Sequence, residues 1–449
     1  MSTPPERTAA PERPADPERL AGLLDADSFL ETGRAAGTVV GHGTIADQPV
    51  CVHLTDHPTV AGLALVTRLV DLAARTGCPV IGLFGDGGKT GEAEALMGPT
   101  GRLQRTMTRA SGVIPQVIIV SGALDGAAAV TAALADVVVL AGSDARLQGP
   151  SDDALATAGA TAQPWPADAA TEDEASACAW VRTMITFLPQ NNLSDPVPGD
   201  PDVPAGPALP EPPTADHRPY DVHPVINSIL DDGGLFELRV DHAPHLVCGF
   251  GRLAGRTVGV VADQPEMLGG CLDAESAAKA ARFVRLCDAF NIAVITMVDC
   301  PGFLPEQDSR AVSAAAALVH ALAAASVPWL SVITGRALGP SYEILASRDL
   351  GADLVLGWPH ARIAATSPQA EVRRRHHDQL ADAEDAETLR AEFLEAVAAE
   401  RTAEHALSEG LVDLVVSPAE TRRHLVRSLA LLSSKRDDQP PRKHGNIPL

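Results

Sequence analysis

Apolar positions in this chain come in short blocks rather than in residue-by-residue alternation. Between Val247 and Pro368, the β-branched runs Val258–Val261, Val294–Val298 and Leu330–Thr334 are separated by Ala-rich stretches, and a glycine stands at nearly every junction. Continuous apolar runs of this length read as strands buried on both faces, with helices between them and glycine where the chain turns or approaches a ligand. The N-terminal half reads the same way. LAGLLDADSFLETG predicts a short amphipathic helix, Val50–Leu54 a strand, LVTRLVDLAART a helix and CPVIGLFGDGG a strand entering a glycine turn. RLQRTMTRASG is again helical, and IPQVIIVSGALDGAAAVTAALADVVVLAG is strand, glycine turn, helix and strand. Near the C-terminus, ETLRAEFLEAVAAERTAEHALSEG predicts helix, LVDLVVSP a strand and ETRRHLVRSLALLSSKR a last helix.

The two halves repeat one order of elements. Gly41-x-Gly43 matches Gly249-x-Gly251, Leu69, Val80 and Gly88 match Phe283, Val294 and Gly302, and Pro115, Gly122 and Gly126 match Pro328, Gly335 and Gly339. The offset drifts only from 208 (Val50 to Val258) to 216 (Asp144 to His360). A repeat of roughly 200 residues is too long for a solenoid and means two similar α/β domains. The expected boundaries are a leader over 1–19, a first domain over 20–193, a Pro-rich linker over 194–219, a second domain over 220–434 and a charged tail over 435–449. Ala154–Ala175 is rich in Ala, Pro and acid, and reads as a loop or lid.

Composition narrows the class of protein. Charged residues make up 21% and hydrophobic residues 45%, which is globular, and aromatics are only 3%, so Ala, Val, Leu and Ile must build the core. The formal charge of −23, from 35 Lys and Arg against 58 Asp and Glu, argues against nucleic acid and anionic membrane as partners. The seven cysteines are scattered without a CxxC pair, as expected of reduced thiols. No apolar run is long enough to span a bilayer, and the Pro- and charge-rich N-terminus lacks a signal-peptide core, so a cytoplasmic protein is expected.

The candidate chemistry lies in two strand–glycine–helix junctions, Val120-Ser121-Gly122-Ala123-Leu124-Asp125-Gly126-Ala127 and Ile333-Thr334-Gly335-Arg336-Ala337-Leu338-Gly339-Pro340-Ser341. A glycine turn that opens a helix leaves backbone N–H groups unpaired, with the positive end of the helix dipole behind them. Such a turn binds phosphate, or holds a thioester carbonyl oxygen as it becomes an enolate. Plain helix caps account for either junction alone. Neither GxxxxGK[ST] nor GxGxxG follows a strand, GxSxG is absent, and the histidines lack metal-ligand spacing. Arg373-Arg374-Arg375 before His376-His377 is the one dense basic patch, a solvated face or a seat for ligand phosphates. Asp86 and Asp299 stand at strand ends beside glycines, where catalytic acids are often placed, and a turn-forming role explains them as well.

Paired glycine turns, GFGRLAGRTVGVVADQP, GGCLDAESAAKAARFVRLCDAFNIAVIT, DCPGFLP, LGADLVLGWP, FLPQNN and the terminal KHGNIPL together resemble the β subunit of biotin-dependent acyl-CoA carboxylases, of the propionyl-CoA carboxylase type. The resemblance runs from about Leu20 to Leu449. It implies two crotonase-like domains, a hexamer, CoA thioester bound largely on the N-terminal half, biotin on the C-terminal half of a neighbouring subunit, and one backbone oxyanion hole per half. Carried onto this sequence, it gives Gly126, Ala127, Gly339 and Ser341 as catalytic positions, and Gly87, Gly88, Gly122, Gly302, Phe303 and Tyr342 as substrate-binding ones.

This chain departs from the family where biotin is expected. The first turn reads Gly126-Ala127-Ala128 and keeps every N–H, whereas the second reads Gly339-Pro340-Ser341, and proline has no N–H to give. The GGAR-type loop becomes Gly87-Gly88-Lys89-Thr90, the segment before FLPQNN becomes Ala154–Ala175, the stretch between Pro305 and Val327 is short, and the EGA segment becomes Ser367–Glu371. No MKM-like biotinylation site or ATP-binding half is present. The preferred expectation is therefore a biotin-independent decarboxylase acting on a carboxylated acyl thioester, or on a carrier-bound or free polyketide acid, with no covalently bound cofactor. The alternatives are a carboxyltransferase subunit that uses a biotinylated carrier, and a non-catalytic member of a hetero-oligomer.

Overall fold

The computed structural model describes residues 18–85, 93–149, 165–194, 209, 219–305, 309–435, 437 and 445–448. The chain divides into two compact units, Met1–Ser194 and Asp195–Leu449. In the first, seven strands lie in the order Leu30–Ala35, Thr38–Ile45, Gln48–Thr55, Val80–Phe84, Gln116–Val120, Val137–Ala141 and Ala169–Thr171. The first three pair antiparallel and the rest parallel. Val80–Phe84 and Gln116–Val120 are buried at all five positions, as continuous apolar runs require when helices cover both faces. Helix Val60–Thr76 starts on the Thr59 side chain, which accepts from Gly62 N–H, and stops at Gly77 in the left-handed conformation.

The second unit repeats this plan. Its sheet runs Phe236–Leu238, Leu246–Leu253, Arg256–Asp263, Ala293–Cys300, Trp329–Leu338, Leu354–Gly357 and Leu414–Val415, with Arg362–Ala364 beside the far end of Trp329–Leu338. The pairing again changes from antiparallel to parallel after the third strand. Helices Pro368–Ala381, Ala386–Ala399 and Ala403–Ser408 are inserted before its last strand and have no counterpart among the described residues of the first unit.

The duplication extends to single hydrogen bonds. Arg182 joins the Leu23 carbonyl and the Asp25 carboxylate, both at 2.8 Å, and Arg422 joins Ile229 O and Asp231 Oδ1 at 2.6 and 2.7 Å. Asp25 in turn accepts from the Ala46 and Asp47 N–H groups of one hairpin, as Asp231 does from Ala254 and Gly255 of the other. At the start of a parallel strand, the Asp136 carboxylate accepts from Gln116 N–H and Asp353 from Trp329 N–H; one strand further, Asp168 accepts from Val138 N–H and Asp413 from Val355 N–H. A Cβ at Gly41 would stand 2.4 Å from Leu30 O, and one at Gly249 2.6 Å from Phe236 O, so both hairpins demand glycine where the neighbouring backbone crosses.

Two local expectations are corrected. The predicted helix over Leu20–Gly33 is reduced to the turn Glu18–Ala21, and Leu30–Ala35 is instead the exposed edge strand of the first sheet. Its LETGRA sequence satisfies its backbone by pairing with Thr38–Ile45, which outweighs the weak apolar spacing. In the stretch read as a loop from Ala154, residues 150–164 lie outside the described residues, but Ala169–Thr171 adds a parallel strand to Val137–Ala141.

Candidate functional site

In the first unit, Ala123–Leu124 pairs in parallel with Arg146–Leu147, and Arg146 N–H donates to Gly122 O at 3.1 Å. The chain then reaches Asp125, the N-cap of helix Gly126–Ala133, whose carbonyl accepts from Ala128 and Ala129 N–H. Gly126 takes φ +50°, in the left-handed region that side chains rarely adopt. The N–H groups of Gly126 and Ala127 precede any intrahelical acceptor, and neither meets another among the described residues. Ala127 is exposed. The turn therefore presents two neighbouring donors with a helix dipole behind them, which suits a developing oxyanion.

The second turn has the same backbone and different donors. Leu338 lies beside Ala364 in register, and Gly339 has φ +53° before the helix Pro340–Leu345. Here the Gly339 N–H is already spent, donating to Ala364 O at 2.8 Å. Pro340 has none. Of residues 339–341, only Ser341 keeps an N–H that meets no acceptor among the described residues, and Ser341 is fully buried. Its hydroxyl accepts from Leu338 N–H at 2.9 Å and reaches the Cys300 carbonyl at 2.8 Å, so it closes the turn from within. Gly339 and Ser341 thus stand where the sequence placed them, but they do not form a two-donor turn, because a neighbouring strand takes one donor and proline removes the next.

The remaining positions divide three ways. Gly122 precedes the first turn, and its carbonyl accepts from Arg146 N–H. Gly87 and Gly88, with Asp86 and the Lys89-Thr90 sequence, lie outside the described residues. Gly302 and Phe303 follow Cys300, close to the second turn: the Gly302 carbonyl accepts from Leu272 N–H at 3.0 Å, and Phe303 bridges to Leu272. Tyr342 donates its hydroxyl to Leu411 O at 2.8 Å, and burial pushes that phenol up to about 12. In the basic patch, Arg374 and Arg375 both pair with the buried Glu371, and Arg375 also reaches Glu400 at 3.0 Å, so two of the three arginines are committed within the fold.

Sequence reading named Asp299 as a strand-end acid but missed the charged clusters formed at the ends of the central parallel strands. In the first unit, Arg19 joins Asp56 at 2.5 Å, Glu174 at 2.5 Å and Ser121 Oγ at 3.2 Å. In the second, Asp299 Oδ1 accepts from Arg336 N and Nε at 2.9 and 2.8 Å. A Cβ at Gly335 would lie 2.3 Å from the Asp299 carboxyl carbon, so glycine there makes room for the acid. The partners are far apart in sequence (Arg19 and Glu174 by 155 residues), and the one legible signal was an acid closing an apolar run, as in VVAD and MVD.

Comparison with known proteins agrees with this architecture. The carboxyl transferase domain family matches residues 166–447. The chain is 36% identical to the propionyl-CoA carboxylase beta chain of Saccharopolyspora erythraea, over 95% of this chain and 89% of that one. It is 32% identical to the methylmalonyl-CoA decarboxylase subunit alpha of Veillonella parvula, over 96% and 92%. A solved structure of transcarboxylase 12S, described as a hexamer assembly with methylmalonyl-coenzyme A and methylmalonic acid bound, superposes with a TM-score of 0.88 at 30% identity, covering 98% of this chain and 92% of that one. Two duplicated units of this topology are the crotonase fold of the carboxyltransferase family. The chain belongs to the acyl-CoA carboxylase β-subunit family, as the sequence resemblance implied.

Proposed function

We propose that this protein decarboxylates a carboxylated acyl-CoA thioester without biotin, at the turn Asp125–Ala127 of its first unit. The observation that carries the reading is the difference between the two turns. Among the described residues, the N–H groups of Gly126 and Ala127 meet no acceptor, while Gly339 N–H is consumed by Ala364 O and Pro340 has none. Carboxyl transfer from carboxybiotin asks both halves to stabilise an anion, one on the thioester and one on the biotin ring. Decarboxylation asks this of the thioester alone. The bond from the α-carbon to the carboxylate breaks, CO2 leaves, and its electron pair passes to the thioester oxygen facing Gly126 and Ala127; the α-carbon then takes a proton from water. Each lost oxyanion donor costs about 3 kcal/mol of transition-state stabilisation. The impaired second turn is therefore a handicap for transfer and not for decarboxylation.

A second reading, a β subunit that exchanges carboxyl groups with a biotinylated carrier, is favoured by the 36% identity to a propionyl-CoA carboxylase beta chain. One experiment separates the two. The purified protein is incubated with malonyl-CoA or methylmalonyl-CoA, with no biotin or carrier present, and CO2 release is followed. Release supports decarboxylation. Transfer that appears only when a biotinylated carrier is added overturns it, and the absence of both activities leaves a non-catalytic role in a hetero-oligomer. By analogy with the 12S hexamer we also propose a hexamer, which light scattering on the pure protein tests.

A further inference from the structure

Beside the second turn lies a buried acid pair that the proposed reaction does not use. Asp263 and Asp299 close neighbouring parallel strands and are 1% and 3% exposed. They meet through the Asp299 N–H, which donates to Asp263 Oδ2 at 3.1 Å. Asp299 is well supported, by the Arg336 backbone N–H and guanidinium. Asp263 accepts from one backbone N–H, and its Oδ1 is buried without a partner among the described residues. An ionised carboxylate left in this state loses its hydration with little in return. The titratable groups facing Asp263 offer no second cation: they are Asp299, Tyr220 from the segment before helix His223–Ile229, and the buried or half-buried Cys248, Cys271 and Cys300. Among the described residues, Arg336 is the one cation acting on it. Burial first, and the Asp299 charge second, raise the Asp263 carboxyl well above the usual range.

Arg336 connects this pair to a strained turn. Its Nη2 donates to Gly269 O at 3.0 Å, inside the turn Leu268–Gly270, where all three residues have positive φ (+50°, +65° and +73°). For Leu268, which is 57% exposed, that conformation is one side chains rarely adopt and must be held by its surroundings. Gly270 packs against the pair itself, since a Cβ there would lie 2.5 Å from Asp299 O and 3.3 Å from the Asp263 Cβ.

We propose that Asp263 carries a proton at neutral pH, and that this proton latches the Leu268–Gly270 turn by leaving Arg336 wholly to Asp299 and Gly269. When the proton passes to solvent, Arg336 is divided between two carboxylates and the hold on Gly269 O weakens. The device lies within the second unit and is independent of which reaction the first turn performs.

Two measurements test it on the full chain. Infrared difference spectra of wild type against Asp263→Asn at pH 7 should show the C=O stretch of a protonated carboxylic acid in the wild type and not in the variant. Hydrogen exchange over Leu268–Gly270, corrected for intrinsic rate, should accelerate with rising pH in the wild type and stay flat in Asp263→Asn. The variant keeps an oxygen acceptor for Asp299 N–H, so the strand ends should survive it. If it does not fold, a carboxyl NMR titration of wild type with labelled aspartate reads the same proton. A carboxyl spectrum fully ionised at pH 7, or turn exchange with the same pH dependence in both proteins, overturns the proposal.

Discussion

Ala127→Pro places in the first turn the defect that Pro340 brings to the second. The backbone is prepared for it. Gly126 at φ +50° matches Gly339 at φ +53°, which already precedes a proline, and Ala127 is exposed with an N–H that meets no acceptor among the described residues. Proline is tolerated in a first helical turn, so the stability cost should stay below about 1 kcal/mol. The catalytic cost is larger. Removing one of two oxyanion donors is worth about 3 kcal/mol, a fall in kcat of roughly a hundred- to a thousand-fold. Because the donor acts on charge that develops only in the transition state, the loss should fall on kcat with KM nearly unchanged. The assay is CO2 release from malonyl-CoA or methylmalonyl-CoA, with a thermal melt on the same sample. Pro340→Gly is the converse, and it should leave CO2 release as it is. A folded Ala127→Pro protein with wild-type kcat would refute the reasoning, because the first turn would then not hold the oxyanion.

Three further outcomes follow from the packing. Lys279, 1% exposed, donates to the carbonyls of Arg239, His242 and Leu246 at 3.0, 2.9 and 2.7 Å, and Lys279→Met should cost about 2–4 kcal/mol in denaturant titrations by leaving them dry. The matched arginines should differ: Arg422 and Asp231 are 15% and 6% exposed and Arg182 and Asp25 33% and 25%, so Arg422→Ala should cost about 3 kcal/mol and Arg182→Ala about 1, read by calorimetry. His223 is raised to about 9, chiefly by its hydrogen bond to Glu237 and then by Asp221. Its contribution is therefore complete below an unfolded value of about 6.5 and is lost as pH rises through about 9, so the Tm gap between wild type and His223→Gln should close toward high pH.

Much of this was written in local sequence. Strands Val80–Phe84 and Gln116–Val120 were legible because a strand buried on both faces needs an unbroken apolar run, and the repeat because both halves solve the same crossing with glycine, at Gly41 and Gly249. The missing donor at Pro340 was equally plain, since an absent N–H is a property of the residue itself. Leu30–Ala35 could not be placed this way, because an exposed edge strand carries no apolar pattern and takes its conformation from the strand beside it.

Tertiary structure alone decided the rest. Gly339 carries an N–H in the sequence, and only the arrival of Ala364 beside Leu338 shows it to be occupied. Asp263 and Asp299 lie 36 residues apart in sequence, and only the parallel register makes them one buried pair served by a single arginine among the described residues. Sequence names which donors and acids exist. Whether a donor is free or an acid is neutral depends on what the fold brings within 3 Å of it, and that is set by strand register across long stretches of chain.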